Sequence, residues 1–143
     1  MSISFKDIES PPSENEVNIL YDLLCKRNNF ISHRSMPLFE EHETFVKSEP
    51  YRIWYLVYSD KEVIGSFYIS NQNSIGINIE NHQKIELIDK IIKYIEETYL
   101  PMPSIKSIRT DKFHINVPPT NRFLINSLDQ LSKKLIQVTY LIK

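Results

Sequence analysis

The spacing of apolar residues changes abruptly near residue 81. Before it, three short runs crowd or alternate their apolar side chains. Residues 52–58 are β-branched and aromatic. Residues 62–70 centre on Ile64-Gly65-Ser66-Phe67, and residues 75–80 alternate strictly. Turn residues separate them, at 59–61 and 71–74, so the pattern predicts a three-strand meander. After residue 81, Ile85, Ile88, Ile91, Ile92, Ile95 and Tyr99 recur at helical spacing. This predicts an amphipathic helix over about 84–99, stopped by Pro101 and Pro103.

The flanking segments are read in the same way. Residues 3–8 alternate weakly, as a first strand. Ser13-Glu-Asn-Glu16 fits a capping box that opens a helix reaching about Lys26, with Val17, Leu20 and Leu24 as its stripe. A second short helix is predicted after Pro37, packed through Phe39 or Phe45. Residues 105–117 read as one or two strands. Thr120 reads as the N-cap of a helix whose core face is Leu124, Ile125, Leu128 and Leu131. Residues 135–142 read as a final strand. The predicted order is β-α-α-β-β-β-α-β-α-β, an α/β (α+β) chain with a mixed, mainly antiparallel sheet and helices on both faces.

Composition narrows the chemistry. The 143 residues suit one domain, 1–143, and 41% hydrophobic content supports a core. A net charge of −1 lacks the basic surface that nucleic acid requires. No apolar run approaches the roughly 18 residues of a membrane span, and the N-terminus has no secretory apolar core. The expectation is therefore a cytoplasmic protein, with neither nucleic acid nor membrane as partner. Cys25, the one cysteine, excludes an internal disulfide and reads as a buried, inert thiol. His33, His42, His82 and His114 share no metal-ligand spacing, so no metal is expected. There is no alanine, and the two glycines, Gly65 and Gly76, exclude a Walker loop and a dinucleotide fingerprint.

The element order, taken with particular residues, resembles the GNAT family of acyl-coenzyme A N-acetyltransferases, most of all its small amino-sugar members. The likeness covers roughly residues 15–143. It is carried by Ile31-Ser-His-Arg-Ser-Met-Pro37 with Phe39-Glu-Glu-His42, by Trp54-Tyr-Leu-Val57, Ile64-Gly65-Ser66 and Ile75-Gly-Ile77, by Phe113-His-Ile-Asn-Val-Pro-Pro-Thr-Asn121, and by Gln137-Val-Thr-Tyr140. The resemblance implies transfer of an acetyl group from acetyl-CoA to a primary amine on a small molecule, an amino sugar among the acceptors. The alternative is a GNAT-shaped binding or interaction module that has lost productive coenzyme A binding. A homodimer is one possible state.

The resemblance also assigns candidate residues. The backbone of Ile77 and Ile79 would lie along the pantetheine arm, Gln83 would stand at the diphosphate loop, and Asn121 near the thioester. Glu80 is the candidate base for the amine, against a plain solvated carboxylate at a strand end. His33 and Met36 would line the acceptor mouth. Two departures fall on the chemistry. Where the family has a Gln/Arg-x-x-Gly-x-Gly/Ala loop, this chain reads Gln83-Lys-Ile-Glu-Leu-Ile88. Lys84, Glu86 and Ile88 bring bulk and a negative charge where glycines would let backbone approach phosphate. The family's general-acid tyrosine falls at Leu128, which has no proton to give.

Overall fold

The computed structural model describes residues 2–26, 37–79 and 84–143. Its elements are β1 (Ile3–Asp7), α1 (Glu14–Cys25), α2 (Phe39–Lys47), β2 (Ile53–Ser59), β3 (Glu62–Ile69), β4 (Ser74–Ile79), α3 (Ile85–Thr98), β5 (His114–Ile115) and α4 (Arg122–Gln130). One sheet runs in the order β1-β2-β3-β4-β5. Its first three pairings are antiparallel and the last, β4 with β5, is parallel. The fold is the mixed, mainly antiparallel α+β sheet that the sequence pattern predicts.

Strand alternation divides the core between the two faces of the sheet. Tyr55, Val57, Phe67, Ile69 and Ile75 point to one face and pack on Leu87, Ile91 and Ile95 of α3. Trp54, Leu56 and Tyr58 point to the other, where Val17, Leu20 and Leu23 of α1 and Val46 of α2 cover them. A third cluster joins Ile88 and Ile92 of α3 to Leu124 of α4, with Ile77, Ile79, Ile115 and Val117 against it. Helices thus cover both faces.

The predicted capping box is present. Ser13 Oγ accepts from the Glu16 N–H at 3.1 Å, and the Glu16 carboxylate accepts from the N–H of Ser13 at 2.9 Å and of Glu9 at 3.1 Å. Glu16 is fully buried. A buried carboxylate needs such donors to replace water.

Four local expectations are corrected. Asn121, not Thr120, caps α4: its Oδ1 accepts from the Leu124 N–H at 3.2 Å. The second helix starts at Phe39, with Leu38 rather than Pro37 at its head, and buries His42 and Val46 while Phe39 and Phe45 stay partly exposed. A nine-residue helix has room for one buried stripe, and His42 with Val46 at i and i+4 forms it. Cys25, the last residue of α1, is exposed rather than buried, because Leu23 takes the inward position in that turn.

The largest corrections concern pairing. Of residues 105–117 only His114–Ile115 forms a strand, with an isolated bridge between Ile105 and Arg109. The Arg109 side chain is drawn back to the carbonyls of Pro103, at 2.6 Å, and Asn71, at 3.0 Å, which holds this stretch in a loop. Residues 135–142 form no strand, and their apolar side chains are exposed. Their β-forming sequence finds no partner strand among the described residues.

Asn73 fixes the loop that precedes β5. It lies in the β3–β4 turn with φ 67° and is fully buried. Its Nδ2 donates to the carbonyls of Met102, at 3.0 Å, and Thr110, at 2.7 Å; its Oδ1 accepts from the Met102 N–H at 2.7 Å. Its own carbonyl accepts from the His114 N–H at 3.1 Å. Asn73→Ala takes the partner from three partly buried backbone groups, two of Met102 and one of Thr110, at about 1 kcal/mol each. The expected loss in urea unfolding free energy is about 3 kcal/mol or more. Asn73→Asp, which has no N–H for the two carbonyls, should not restore it. A loss under about 1 kcal/mol for the alanine variant contradicts this account.

Candidate functional site

β4 and β5 pair only at Ser74–His114 and Ile75–Ile115. β4 runs on to Ile79, still paired with β3, while the chain after β5 turns away through Asn116-Val117-Pro118-Pro119. The result is a wedge-shaped cleft at the C-terminal end of β4. Backbone polarity in the cleft follows from alternation. The Asn73 carbonyl faces β5, so Ile75, Ile77 and Ile79 also turn their N–H and C=O that way. Beyond Ile75 no strand of the described residues meets them. The Ile77 and Ile79 side chains point down onto the apolar cluster of Ile88, Ile92 and Leu124, which closes the cleft floor.

The opposite sheet face carries an aromatic wall. Tyr68 lies directly over Gly76: a Cβ there would sit 2.1 Å from the Tyr68 ring. Glycine is required at this position so that the ring can reach the strand. Tyr68 stacks on Tyr51 with centroids 3.7 Å apart, and Tyr51 meets Trp54 edge-on at 4.8 Å. Phe45 joins them from α2, 5.9 Å from Tyr51. Trp54 Nε1 and His42 Nε2 are buried with no hydrogen-bond partner among the described residues. His42, Trp54, Tyr68, Gly76, Asn121 and Ile77 all border one cavity.

No protein-family model matches the chain, and no curated protein matches it. Solved structures do. N-acetyltransferase PseH of Campylobacter jejuni, solved in complex with acetyl coenzyme A, superposes with a TM-score of 0.60 at 18% identity, over 96% of this chain and 92% of that one. An aminoglycoside acetyltransferase from an uncultured soil metagenomic sample gives 0.61 at 14% identity, over 100% and 99%. A possible acetyltransferase from Clostridium difficile 630 gives 0.59 at 11% identity, over 100% and 98%. The chain has the GNAT fold.

Within this GNAT fold the sequence-derived candidates fall unevenly. Ile77 and Ile79 stand on the open edge of β4. Asn121 borders the cavity at the head of α4, but its Oδ1 is engaged in the cap, so Nδ2 is the group left to donate outward. Leu128 packs against the cluster around Leu124. Glu80, Gln83, His33 and Met36 lie outside the described residues. At the start of α3, Lys84 takes the N-cap position without a side-chain cap bond, and Glu86 is exposed in the first turn. Ile88 does not face that end of the helix: it is fully buried in the core, one turn in. Among the described residues no group of three His, Cys, Asp or Glu could hold a metal ion. No described helix is long and apolar enough to cross a membrane.

Tyr51 and Tyr68 were not singled out by sequence reasoning, and Phe45 was named as a packing residue of the second helix. The signal was the even-numbered aromatic positions of the two meander strands, Trp54 and Tyr68, which share one face.

Burial holds the His42 pKa below its ordinary 6.5, against an opposing backbone hydrogen bond at Val17. The unfolded chain therefore binds this proton more readily than the folded one. His42 carries no penalty above about pH 6.5 and lowers stability as pH falls below it. The thermal midpoint of the wild type should fall more between about pH 7.5 and about pH 5.5 than that of His42→Leu. Equal falls in the two proteins would remove His42 from the acid response.

Proposed function

We propose that the protein is a cytoplasmic N-acetyltransferase that moves an acetyl group from acetyl-CoA to the primary amine of a small molecule, with an amino sugar as the acceptor class. The open backbone edge of Ile77 and Ile79, facing a wedge between β4 and β5, carries this reading. A pantetheine arm has amide groups at spacings that extended backbone can match, and here β4 offers that backbone with no strand in the way. PseH and the aminoglycoside acetyltransferases, whose folds this chain shares, act in the same chemical class.

When bound, acetyl-CoA supplies the activated acyl group. The chain's own residues would do the rest by orientation. Ile77 and Ile79 would align the arm, Asn121 Nδ2 would donate towards the thioester end, and Glu80, next in sequence after β4, would take the amine proton. Leu128 offers no acid for the leaving thiolate. The aromatic wall of Tyr51, Trp54 and Tyr68 suits the apolar faces of a sugar ring, with Trp54 Nε1 and His42 Nε2 as buried polar groups beside it.

The diphosphate end fits less well, and this favours a second reading: a binding module that no longer holds coenzyme A productively. The first turn of α3 presents backbone N–H groups and the positive end of the helix dipole, but Glu86 places a carboxylate there. Lys84 offsets it only as a flexible point charge.

Calorimetric titration separates the two readings. Acetyl-CoA is expected to bind in the high-micromolar range or more weakly, roughly −5.5 kcal/mol or less favourable. Removing the Glu86 charge alone should recover about 0.3–1 kcal/mol, so Glu86→Gln should bind roughly two- to fivefold more tightly. Ile88→Gly should be left out of this series. It would empty a core position at a cost above the roughly 2–5 kcal/mol of an Ile→Ala change. Thiol release from acetyl-CoA in the presence of amino sugars establishes the enzyme; no heat of binding and no thiol release establish the module.

A further inference from the structure

We propose that the loop of residues 100–112, between α3 and β5, docks the protein on an anionic lipid surface. The proposal stands whether or not the cleft takes acetyl-CoA.

The loop holds apolar side chains out in water. Residues 103–108 are exposed without a break. Ile105 is 42% exposed, Ile108 65% and Leu100, at the start of the loop, 81%. A loose loop turns such groups inward, but the polar groups of this one fix it. The Ile105 carbonyl accepts from the N–H of Ile108 at 2.9 Å and of Arg109 at 2.8 Å, and the Ile105 N–H donates to the Arg109 carbonyl at 2.8 Å. These bonds close a tight turn with Ile105 and Ile108 at its corners and Ser107 in the left-handed region, φ 64°. Beside the turn, the Arg109 side chain holds the carbonyls of Pro103 and Asn71. Arg52 donates to the Leu100 carbonyl at 2.8 Å, and the buried Asn73 amide ties the backbone of Met102 and Thr110. The tip is ordered before any partner arrives, so docking loses little conformational entropy.

Charge selects the partner. Residues 100–112 carry Lys106, Arg109 and Lys112 against Asp111 alone, a balance of +2. The whole chain carries −1, so the rest of it carries −3. The acids just before the loop, Glu96 and Glu97, have Lys133 and Lys93 beside them. An anionic surface therefore attracts this end of the molecule and repels the remainder, which sets an orientation as well as a contact. Lysines beside protruding apolar groups suit a peripheral contact: the apolar groups enter the headgroup layer while the cations stay among the phosphates.

Shape favours lipid over peptide. A bound peptide needs a groove or an unpaired strand edge. Ile105 and Ile108 protrude instead, and neither borders the cleft cavity. The proposal departs from the expectation, drawn from the lack of an apolar span, that no membrane is a partner; a surface contact needs no span. It also leaves the cleft accessible. The loop hangs from the β3–β4 turn, at the N-terminal end of β4. The wedge opens at the other end of that strand, about 17 Å away, and so faces solution.

Vesicle cosedimentation of the full chain tests this. Vesicles with about one phosphatidylglycerol in three lipids, the rest phosphatidylcholine, should bind about tenfold or more better than phosphatidylcholine alone. Binding should weaken as salt rises from about 0.1 M to about 0.5 M. Lys106→Gln with Lys112→Gln should lower it roughly twentyfold, about fivefold for each cation near the surface. Ile105→Ser with Ile108→Ser should lower it about tenfold. All four side chains are exposed, so circular dichroism should not change. Ile136→Ser with Tyr140→Ser, in the other exposed apolar stretch, should bind as the wild type does. No preference for the anionic vesicles overturns the proposal. So does loss of binding in the C-terminal pair, full binding in either loop pair, or capture of the chain by a poly-glutamate peptide with none by vesicles.

Discussion

A single side-chain amide, that of Asn73, holds the two halves of the molecule in register. The meander from β2 to β4 is continuous in sequence and pairs by hairpins, and β1 joins it across α1 and α2, but β5 arrives after a helix and a long loop. Only two residue pairs join it to β4. The Asn73 side chain supplies what that short ladder lacks, three bonds to the backbone of Met102 and Thr110. The geometry of the cleft follows from it. The loop is pinned at the N-terminal end of β4 and nowhere further along, so the strands meet there and diverge beyond Ile75.

The sheet assigns different tasks to its faces. The α3 face mixes aliphatic side chains with the rings of Phe5, Tyr55, Phe67 and Tyr94, and it supports the cleft from below through Ile77, Ile79 and Ile115. The α1–α2 face carries the stack of Tyr51, Tyr68 and Trp54 and the two buried polar atoms that have no partner among the described residues. Both glycines lie on strands where the second chain element comes close. At Gly76 that element is the Tyr68 ring; at Gly65 it is the Asn78 carbonyl, 2.3 Å from a Cβ placed there. In a chain without alanine, these two positions allow the meander to pack tightly against its own side chains and backbone.

Sequence patterns revealed what depends on neighbours within about one turn or one hairpin. The Ser13–Glu16 capping box, the α3 stripe from Ile85 to Ile95 and the three meander strands are all of this kind. The fate of residues 135–142 was not legible, since alternation states that a segment can be a strand but not where its partner lies. Cys25 and Leu24 were misplaced by a single residue of helical phase: Leu23 faces inward and Cys25 does not. For the site, Ile77 and Ile79 were named through the family resemblance, and in the structure strand parity turns their backbone towards the β5 side. The aromatic wall could not, since Tyr51 precedes β2 and reaches Tyr68 only through tertiary stacking.

The parallel joint between β4 and β5 also bears on the order of folding. Its partners, Ser74 and His114, are separated by the whole of α3 and the loop after it. Closing so long a segment costs chain entropy before any contact offsets it, whereas the hairpins of the meander close over a few residues. On this ground the β2–β4 hairpins are expected to form before β5, and also β1, dock onto them. The same asymmetry holds in reverse. With only two residue pairs in its ladder, the β5 wall is expected to separate under mild destabilisation more readily than the β2–β4 hairpins, which would widen the cleft.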